Sequence, residues 1–469
     1  MAQGAPGPDS AAVDRFLREN LESTRLPGVA VAIVTRGGVR LAARGHDSEG
    51  RPLTPETPMR VGSISKSFTA LAVMQLVESG RISLDRPVRE QLPEFAPDDP
   101  RAARITVRHL LNQSSGMTDG GFPEMTLAQP ATPREAVARL RAARLDAEPG
   151  ERWSYHNPNY HVLARLVEVA GGMPFDAYMR TRVFEPLGMT RTYTVMRASD
   201  RPPGLADGYA YAWGFPVARP IFDHFVAGSG GVVSTARDMA LWLEMNLDGG
   251  VAPGGRRIVS AASLRAMHAP SAPGGDYGFG WENDRLDDGS TRIEHGGVLF
   301  TYSANQQLYP ALGTGVAVLF NSSTPFGGEQ LSFIEGLEAL VRGREPETGM
   351  PISLVVDGVL AALTLVSAAL GVRKLRRARE WARRWGARPR WKRIARLALG
   401  AVPIAVFLFF PTLAGAAFGG RDVTWTSAWF GWPALVAWSA VAATFAAAAL
   451  VVRILRLRDA RGGSSPASA

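Results

Sequence analysis

The chain has 469 residues, no cysteine and a formal net charge of +9. That length admits two or three domains, and the missing thiols exclude a disulfide framework, a thiol nucleophile and a Cys-ligated metal. Residues 351–469 carry 17 Lys and Arg against four acids, a net of +13, which leaves the first 350 residues at −4, so no nucleic-acid partner is expected of the globular part.

Residues 1–9 have the composition of a disordered segment. Ser10–Thr24 reads as an amphipathic helix with Ser10 as its N-cap and Val13, Phe16, Leu17 and Leu21 along one side. The run GVAVAIVTRGGVRLAARG then reads as two strands around an Arg-Gly-Gly turn, a hairpin. From Ser63 to Ser79 an almost wholly apolar helix stops at Gly80, a suitable C′ residue. Having no polar face, it is expected to be the buried central helix. Residues 81–270 read mainly as helices and loops. Strand-like runs return at Thr291–Glu294, Tyr302–Tyr309 and Gly315–Phe320, and a last helix, Glu329–Arg342, leads into a linker at 346–351. Strands at both ends with a helical block between them predict an α+β fold. One antiparallel sheet is assembled from both chain ends, flanked by helices, with a helical lobe inserted.

The tail is apolar as well as basic. Stretches 352–372, 394–418 and 429–452 each reach the ~20 residues that a bilayer-spanning helix needs. Residues 373–396 hold 12 Lys and Arg and one Glu, and Arg453, Arg456, Arg458 and Arg461 follow the third stretch. The positive-inside rule makes loop 373–393 and tail 453–469 cytoplasmic, which puts domain 10–345 on the outer face of the cytoplasmic membrane, with the lipid bilayer as partner. Trp425, Trp429 and Trp432 fall where an outer aromatic belt would lie. Asp357, a turn inside the first span, is expected to reach back to water. An exported domain needs a leader, yet residues 1–20 show neither a basic n-region nor an apolar h-region, so a start further upstream is expected.

The chain has three lysines, Lys66, Lys374 and Lys392, against 49 arginines, and Lys66 is the only one in the first 350 residues. It lies three residues after Ser63, at the start of the apolar helix, where positions i and i+3 share a face. A serine hydroxyl needs an adjacent base to become a nucleophile. A desolvated lysine can accept a proton, whereas arginine stays protonated. The helix N-terminus favours a developing oxyanion. Tyr155-His156-Asn157 precedes another helix and offers a phenol for proton transfer and an amide for a substrate carbonyl. His295-Gly296-Gly297 closes a short strand, where missing side chains let a ligand backbone lie alongside.

Ser63-x-x-Lys66, Tyr155-x-Asn157 and His295-x-Gly297, in that order, resemble the motifs of the penicillin-binding-protein and class C β-lactamase superfamily of serine hydrolases. Its relatives include D,D-carboxypeptidases, D-aminopeptidases and esterases. Segments 105–117, 228–250 and 277–282 also look like this family, so the resemblance covers about residues 10–342. It implies a β-lactamase-like fold and an acyl-enzyme on Ser63, with Lys66 helping to deprotonate it and Tyr155 exchanging protons. Asn157 would orient the substrate carbonyl, and His295, Gly296 and Gly297 would line the substrate. The backbone N–H groups of Ser63 and Val298 would form the oxyanion hole, and no metal or cofactor is implied. The layout with three carboxy-terminal spans is similar to that of colibactin-activating-type peptidases. Lactam-specialised relatives carry Lys-Thr-Gly as the third motif. Here a titratable imidazole replaces the cation and nothing replaces the hydroxyl, which favours peptidase or amidase action on D-amino-acid peptides over β-lactam hydrolysis. Carboxylesterase and β-lactamase activity are the alternatives within the fold, and a non-catalytic sensor or scaffold for a cell-wall-like ligand is the alternative outside it. His46, His109, His161, His224 and His268 show no ligand spacing, so no metal site is expected. His156 is expected to point away from the pocket. Trp153 and Trp281 are candidates for the cleft or the core, and Asn112 and Ser114 for a loop facing substrate.

Overall fold

A computed structural model describes residues 9–462, so the expected disorder of residues 1–8 and the end of the basic tail lie outside the described residues. The chain divides into two compact units. One holds the described residues to Ala210 together with Pro216–Pro351, and the other holds Tyr211–Phe215 with the helices from Ile352 onward.

Strands β1 (Gly28–Thr35) and β2 (Gly38–Gly45) form the expected hairpin, closing at Thr35 opposite Gly38 across Arg36-Gly37. Short strands β3 (Met59–Arg60), β4 (Tyr193–Thr194), β5 (Gly208–Ala212), β6 (Phe215–Arg219) and β7 (Val232–Ser234) follow. Strands β8 (Glu282–Arg285), β9 (Thr291–Val298), β10 (Ser303–Tyr309), β11 (Thr314–Phe320) and β12 (Ser322–Ser323) complete the set. The main sheet is antiparallel in the order β2-β1-β11-β10-β9-β8, and two small sheets run β12-β5-β6 and β3-β7-β4. β1 pairs with β11 in a register that sets Val29 opposite Phe320, so the two ends of the unit share the centre of one sheet.

Successive residues of a strand face opposite sides of the sheet. On one side Phe320 meets Phe333 of the Gly328–Val341 helix at 5.5 Å between ring centroids, and Phe333 meets Phe16 of the Ser10–Thr24 helix at 5.9 Å. On the other side the Ala236–Leu247 helix packs on β1 and β11. Beneath it runs the Ser65–Glu78 helix, eleven of whose residues are buried, with Phe68 4.0 Å from the Trp242 ring centroid. This is the expected central helix, and burial of its apolar side chains is worth about 1.5–3 kcal/mol for each large one.

Several expectations shift in detail. The first helix is capped by Asp9, whose side chain accepts from Ala11 N, and Ser10 is already its first residue. Between 81 and 270, strands β4 to β7 interrupt the helices and loops; with two to five residues each they are too short for a periodic signal. β9 continues to Val298 because β10 pairs through to it, Ser303 opposite Val298, so His295-Gly296-Gly297 lies inside a strand.

In the second unit, Ile352–Arg376 and Pro433–Asp459 are long and apolar enough to cross a membrane. A third span exists if Arg390–Leu408 and Phe410–Ala417, bent by 68° at Phe409, count as one. Loop 373–393 holds a helix, Ala378–Gly386, with Trp381 stacked on Trp385. The third stretch is divided: Trp425–Gly431 is a separate short helix capped by Thr424, and the long helix starts at Pro433. Asp357 does not reach water; it is 2% exposed, and its Oδ2 accepts from Gly214 N at 2.8 Å.

Candidate active site

Ser63 sits in a single 3₁₀ turn, Gly62–Ile64, that runs directly into the Ser65–Glu78 helix. The turn is pinned from both sides. Ser65 Oγ donates to Gly62 O at 2.6 Å and accepts from Val232 N at 2.8 Å, while Val61 N donates to Val232 O. One helical turn on, Lys66 is fully buried. Its Nζ donates to Ser63 Oγ at 3.2 Å, Asn157 Oδ1 at 2.9 Å and Ser229 O at 2.8 Å. Three acceptors match the three N–H bonds of an ammonium. With Asn157 and Ser229 each holding one N–H, the remaining direction on Nζ points at the serine hydroxyl in either protonation state.

Tyr155 and Asn157 come from the loop ahead of the Pro158–Gly171 helix. Gln113, held at φ +60°, fixes that loop: its carbonyl accepts from Ser154 N at 2.8 Å and its side chain from His156 N at 3.2 Å. His156 is fully buried, with Nδ1 2.7 Å from Asp119 Oδ1. Its neighbours are therefore free to face the serine. The Tyr155 ring lies under the Lys66 ammonium, 4.6 Å from Nζ to centroid. Trp153, Tyr277 and His295 surround it at 6.3–6.4 Å. Asn157 Nδ2 donates to Glu124 Oε1 at 2.7 Å, which orients the amide so that its oxygen meets Lys66.

The third motif approaches through backbone. A β-carbon on Gly297 would collide with Val61 O and stand 3.0 Å from Ser63 N; one on Gly62, where φ is +54°, would stand 2.8 Å from Val298 N. Only glycine permits this contact, and it brings the N–H groups of Ser63 and Val298 to one place. Gly296 and Val298 are exposed, Val298 at 65%. His295 is not an exposed cation. It is 2% exposed, its Nε2 lies 3.0 Å from Tyr277 OH and its Nδ1 2.6 Å from Gly296 O. The bond to the carbonyl requires a proton on Nδ1, which leaves Nε2 to accept from the phenol. Burial first, and the Lys66 ammonium second, push its pKa down to about 3. His161, with Nε2 3.0 Å from Ser229 Oγ, is held well below its ordinary value by the same two causes.

Ser63, Lys66, Tyr155, Asn157 and the His295–Val298 segment are thus drawn to one centre. Trp153 borders it, 40% exposed, whereas Trp281 is core, fully buried and stacked on Trp242 at 6.3 Å. Asn112 and Ser114 are buried; Ser114 Oγ donates to Asn112 Oδ1 and Asn112 Nδ2 donates to Ser271 O, so they shape a loop and do not present polar groups outward. Sequence reasoning missed Ser229, which contributes a carbonyl no side chain announces, and it missed Glu124 and Tyr277. The Gly-Ser-Gly-Gly run around Ser229 is the one signal that could have pointed to it.

A seryl oxygen beside an amine, a nearby phenol and two convergent N–H groups can carry an acyl transfer. Comparison with known proteins points the same way. The beta-lactamase family model matches residues 13–340. Penicillin-binding protein 4 of Amycolatopsis lactamdurans is 31% identical over 340 residues, covering 70% of this chain and 87% of that protein. The octameric penicillin-binding protein homologue from Pyrococcus abyssi is 30% identical, with a TM-score of 0.61 over 75% of this chain and 81% of that one. A D-stereospecific amidohydrolase from Streptomyces sp. is 27% identical, with a TM-score of 0.53 over 67% of this chain and 94% of that one.

Proposed function

This chain belongs to the beta-lactamase family of serine hydrolases, and we propose that Ser63, Lys66 and Tyr155 are its catalytic residues in a membrane-anchored peptidase or amidase for D-amino-acid-containing peptides. The observation that carries the reading is the Lys66 ammonium, buried and 3.2 Å from Ser63 Oγ, with its other two donors committed to Asn157 and Ser229. In the reactive form the amine is neutral. Ser63 Oγ bonds to the substrate carbonyl carbon as its proton passes to Lys66 Nζ. The carbonyl oxygen becomes an oxyanion between Ser63 N and Val298 N. As the C–N bond breaks, that proton goes to the leaving amine through Tyr155, and the acyl group stays on Ser63. Lys66, neutral again, then takes the phenolic proton of Tyr155 as Tyr155 takes one from water and the water oxygen attacks the ester; the proton on Lys66 passes to Ser63 Oγ as its bond to the acyl carbon breaks, which releases the acid. Asn157, engaged with both Lys66 and Glu124, holds the lysine in place.

The preference for D-amino-acid amides rests on the D-stereospecific amidohydrolase among the similar structures and on the neutral, buried His295. A site without a cation at its third motif has little to hold a β-lactam carboxylate. We take the hydrolase domain as 10–345, the linker as 346–351 and the three apolar stretches as spans, with the hydrolase outside. A panel of D-amino-acid peptides, p-nitrophenyl esters and a chromogenic cephalosporin, given to the full chain in detergent, tests the substrate. Faster turnover of the ester or the cephalosporin than of every D-peptide overturns it. A reporter active only outside the membrane tests topology: activity when fused after Met350 and silence after Trp385 are expected, and the reverse pattern inverts the orientation.

A further inference from the structure

Strands β5 and β6 are neighbours in a small sheet and are joined by only two residues, Trp213 and Gly214. Both lie in the left-handed region, at φ +56° and +78°, as the tight turn of a hairpin requires. Glycine, asparagine and aspartate suit such positions, and a bulky side chain there is strained. Yet a tryptophan stands at the first of them, 40% exposed, and Phe215 follows the turn at 58%.

The turn touches the first apolar stretch. Trp213, Gly214 and Phe215 belong to the second unit, together with the helix Ile352–Arg376. Gly214 N donates to Asp357 Oδ2 at 2.8 Å, and a β-carbon on Gly214 would stand 2.5 Å from Leu354 Cα, so backbone lies on backbone. Asp357 is about 7–8 Å along the helix axis from Ile352, at 1.5 Å per residue. A carboxylate at that depth is expensive unless a donor meets it, and the turn supplies one. The turn is therefore level with the start of the span.

Other aromatic residues gather at the same end. Trp438 Nε1 donates to Ser367 Oγ at 3.2 Å, and further along both helices Phe445 packs against Gly371. Ile352–Arg376 and Pro433–Gly462 thus run parallel. The short helix Trp425–Gly431, which leads into the second of them, falls at the Ile352 end, with Trp425 41% and Trp429 48% exposed. Tryptophan collects where headgroups meet acyl chains.

We propose that the Trp213–Phe215 turn is a lipid-binding element. It lies at the headgroup–acyl boundary of the leaflet that the Ile352 end of the span enters, with the Trp213 and Phe215 rings among the lipids. The bond from Gly214 N to Asp357 sets its depth. The proposal rests on the reading of Ile352–Arg376 as a span. It goes further by giving the bilayer a second contact, made by residues far ahead of the linker.

The chain has no cysteine, so one introduced thiol can carry an environment-sensitive fluorophore. Three labelled full chains are compared in phosphatidylcholine vesicles whose lipids bear a quenching nitroxide near the headgroup or near the chain end. They are Phe215→Cys, Leu365→Cys in mid-span, where Leu365 is 72% exposed, and Arg141→Cys, where the arginine side chain is 79% exposed. The Phe215→Cys label should be quenched more by the shallow nitroxide, the Leu365→Cys label more by the deep one, and the Arg141→Cys label by neither. If Phe215→Cys is not recovered folded, Trp213→Cys decides by the same pattern. Quenching at 365 with none at 215 overturns the proposal and leaves the span standing. Quenching at neither position removes the span and the proposal with it. Stronger quenching at 215 by the deep nitroxide overturns the boundary placement.

Discussion

Lys66 and Arg60 are both buried cations on one short stretch, and the structure treats them in opposite ways. Every N–H of Lys66 has an acceptor, whereas Arg60 keeps one nitrogen with none among the described residues. Burying a charge is costly, and partners normally compensate it. Where the charge must hold a fixed position during a proton transfer, the protein supplies those partners itself. Where compensation is incomplete, as at Arg60, the deficit is a standing cost to the fold.

This contrast can be broken most severely at the serine. Ser63→Ala should cut turnover of any acyl substrate by about 10⁵–10⁶-fold and abolish labelling by a fluorophosphonate probe. Equal labelling of the variant would remove Ser63 from the mechanism. Lys66→Arg keeps the charge but cannot act as a base, so kcat should drop by about 10²–10⁴-fold; a variant retaining a tenth of wild-type kcat would show that Lys66 serves only as a cation. Asn157→Ala removes one anchor of the lysine without touching the nucleophile. Steady-state kinetics should show kcat falling about 10–100-fold with KM changing less than about 3-fold, and a change confined to KM would make Asn157 a substrate contact instead.

The smallest effect concerns the histidines. His295 and His224 are buried neutral, with pKa values pushed down to about 3 and about 4, mainly by burial. Unfolded, each titrates near 6.5. Between those values the unfolded state binds more protons, so each stabilises the fold fully above about pH 6.5 and loses that contribution as pH falls towards its folded value. The slope is about 1.4 kcal/mol per pH unit for each. Melting temperature should therefore decline from pH 6.5 to 4, less steeply in His224→Gln; parallel curves would exclude that histidine as a source.

The central helix, the Arg36-Gly37 hairpin and the pairing of Ser63 with Lys66 are legible in the sequence because each rests on local spacing: apolar residues all round, a two-residue turn, an i,i+3 step. The approach of Gly62 to Gly297 is legible as far as both are glycines. What spacing does not carry is the partner of a polar atom. Ser229 acts through its carbonyl, which every residue possesses. Glu124 meets Asn157 only because two distant loops fold together. His295 reads as a titratable group until Tyr277 and burial silence it. Likewise the mainly apolar stretch 394–418 reads by hydropathy as one span, and the break at Phe409 falls two residues before Pro411, which hydropathy does not weigh.

The pairing of β1 with β11 has a consequence for biosynthesis. Ser63, Lys66 and Tyr155 all emerge in the first half of the chain, but the strand that completes the sheet beneath them arrives only with Phe320. Closing so long a loop is slow and yields no reward until both strands are present. A nascent chain therefore carries Ser63 without its completed sheet until nearly the whole of this unit has been made. It also means that no amino-terminal fragment ending before β11, however many motif residues it contains, will hydrolyse anything.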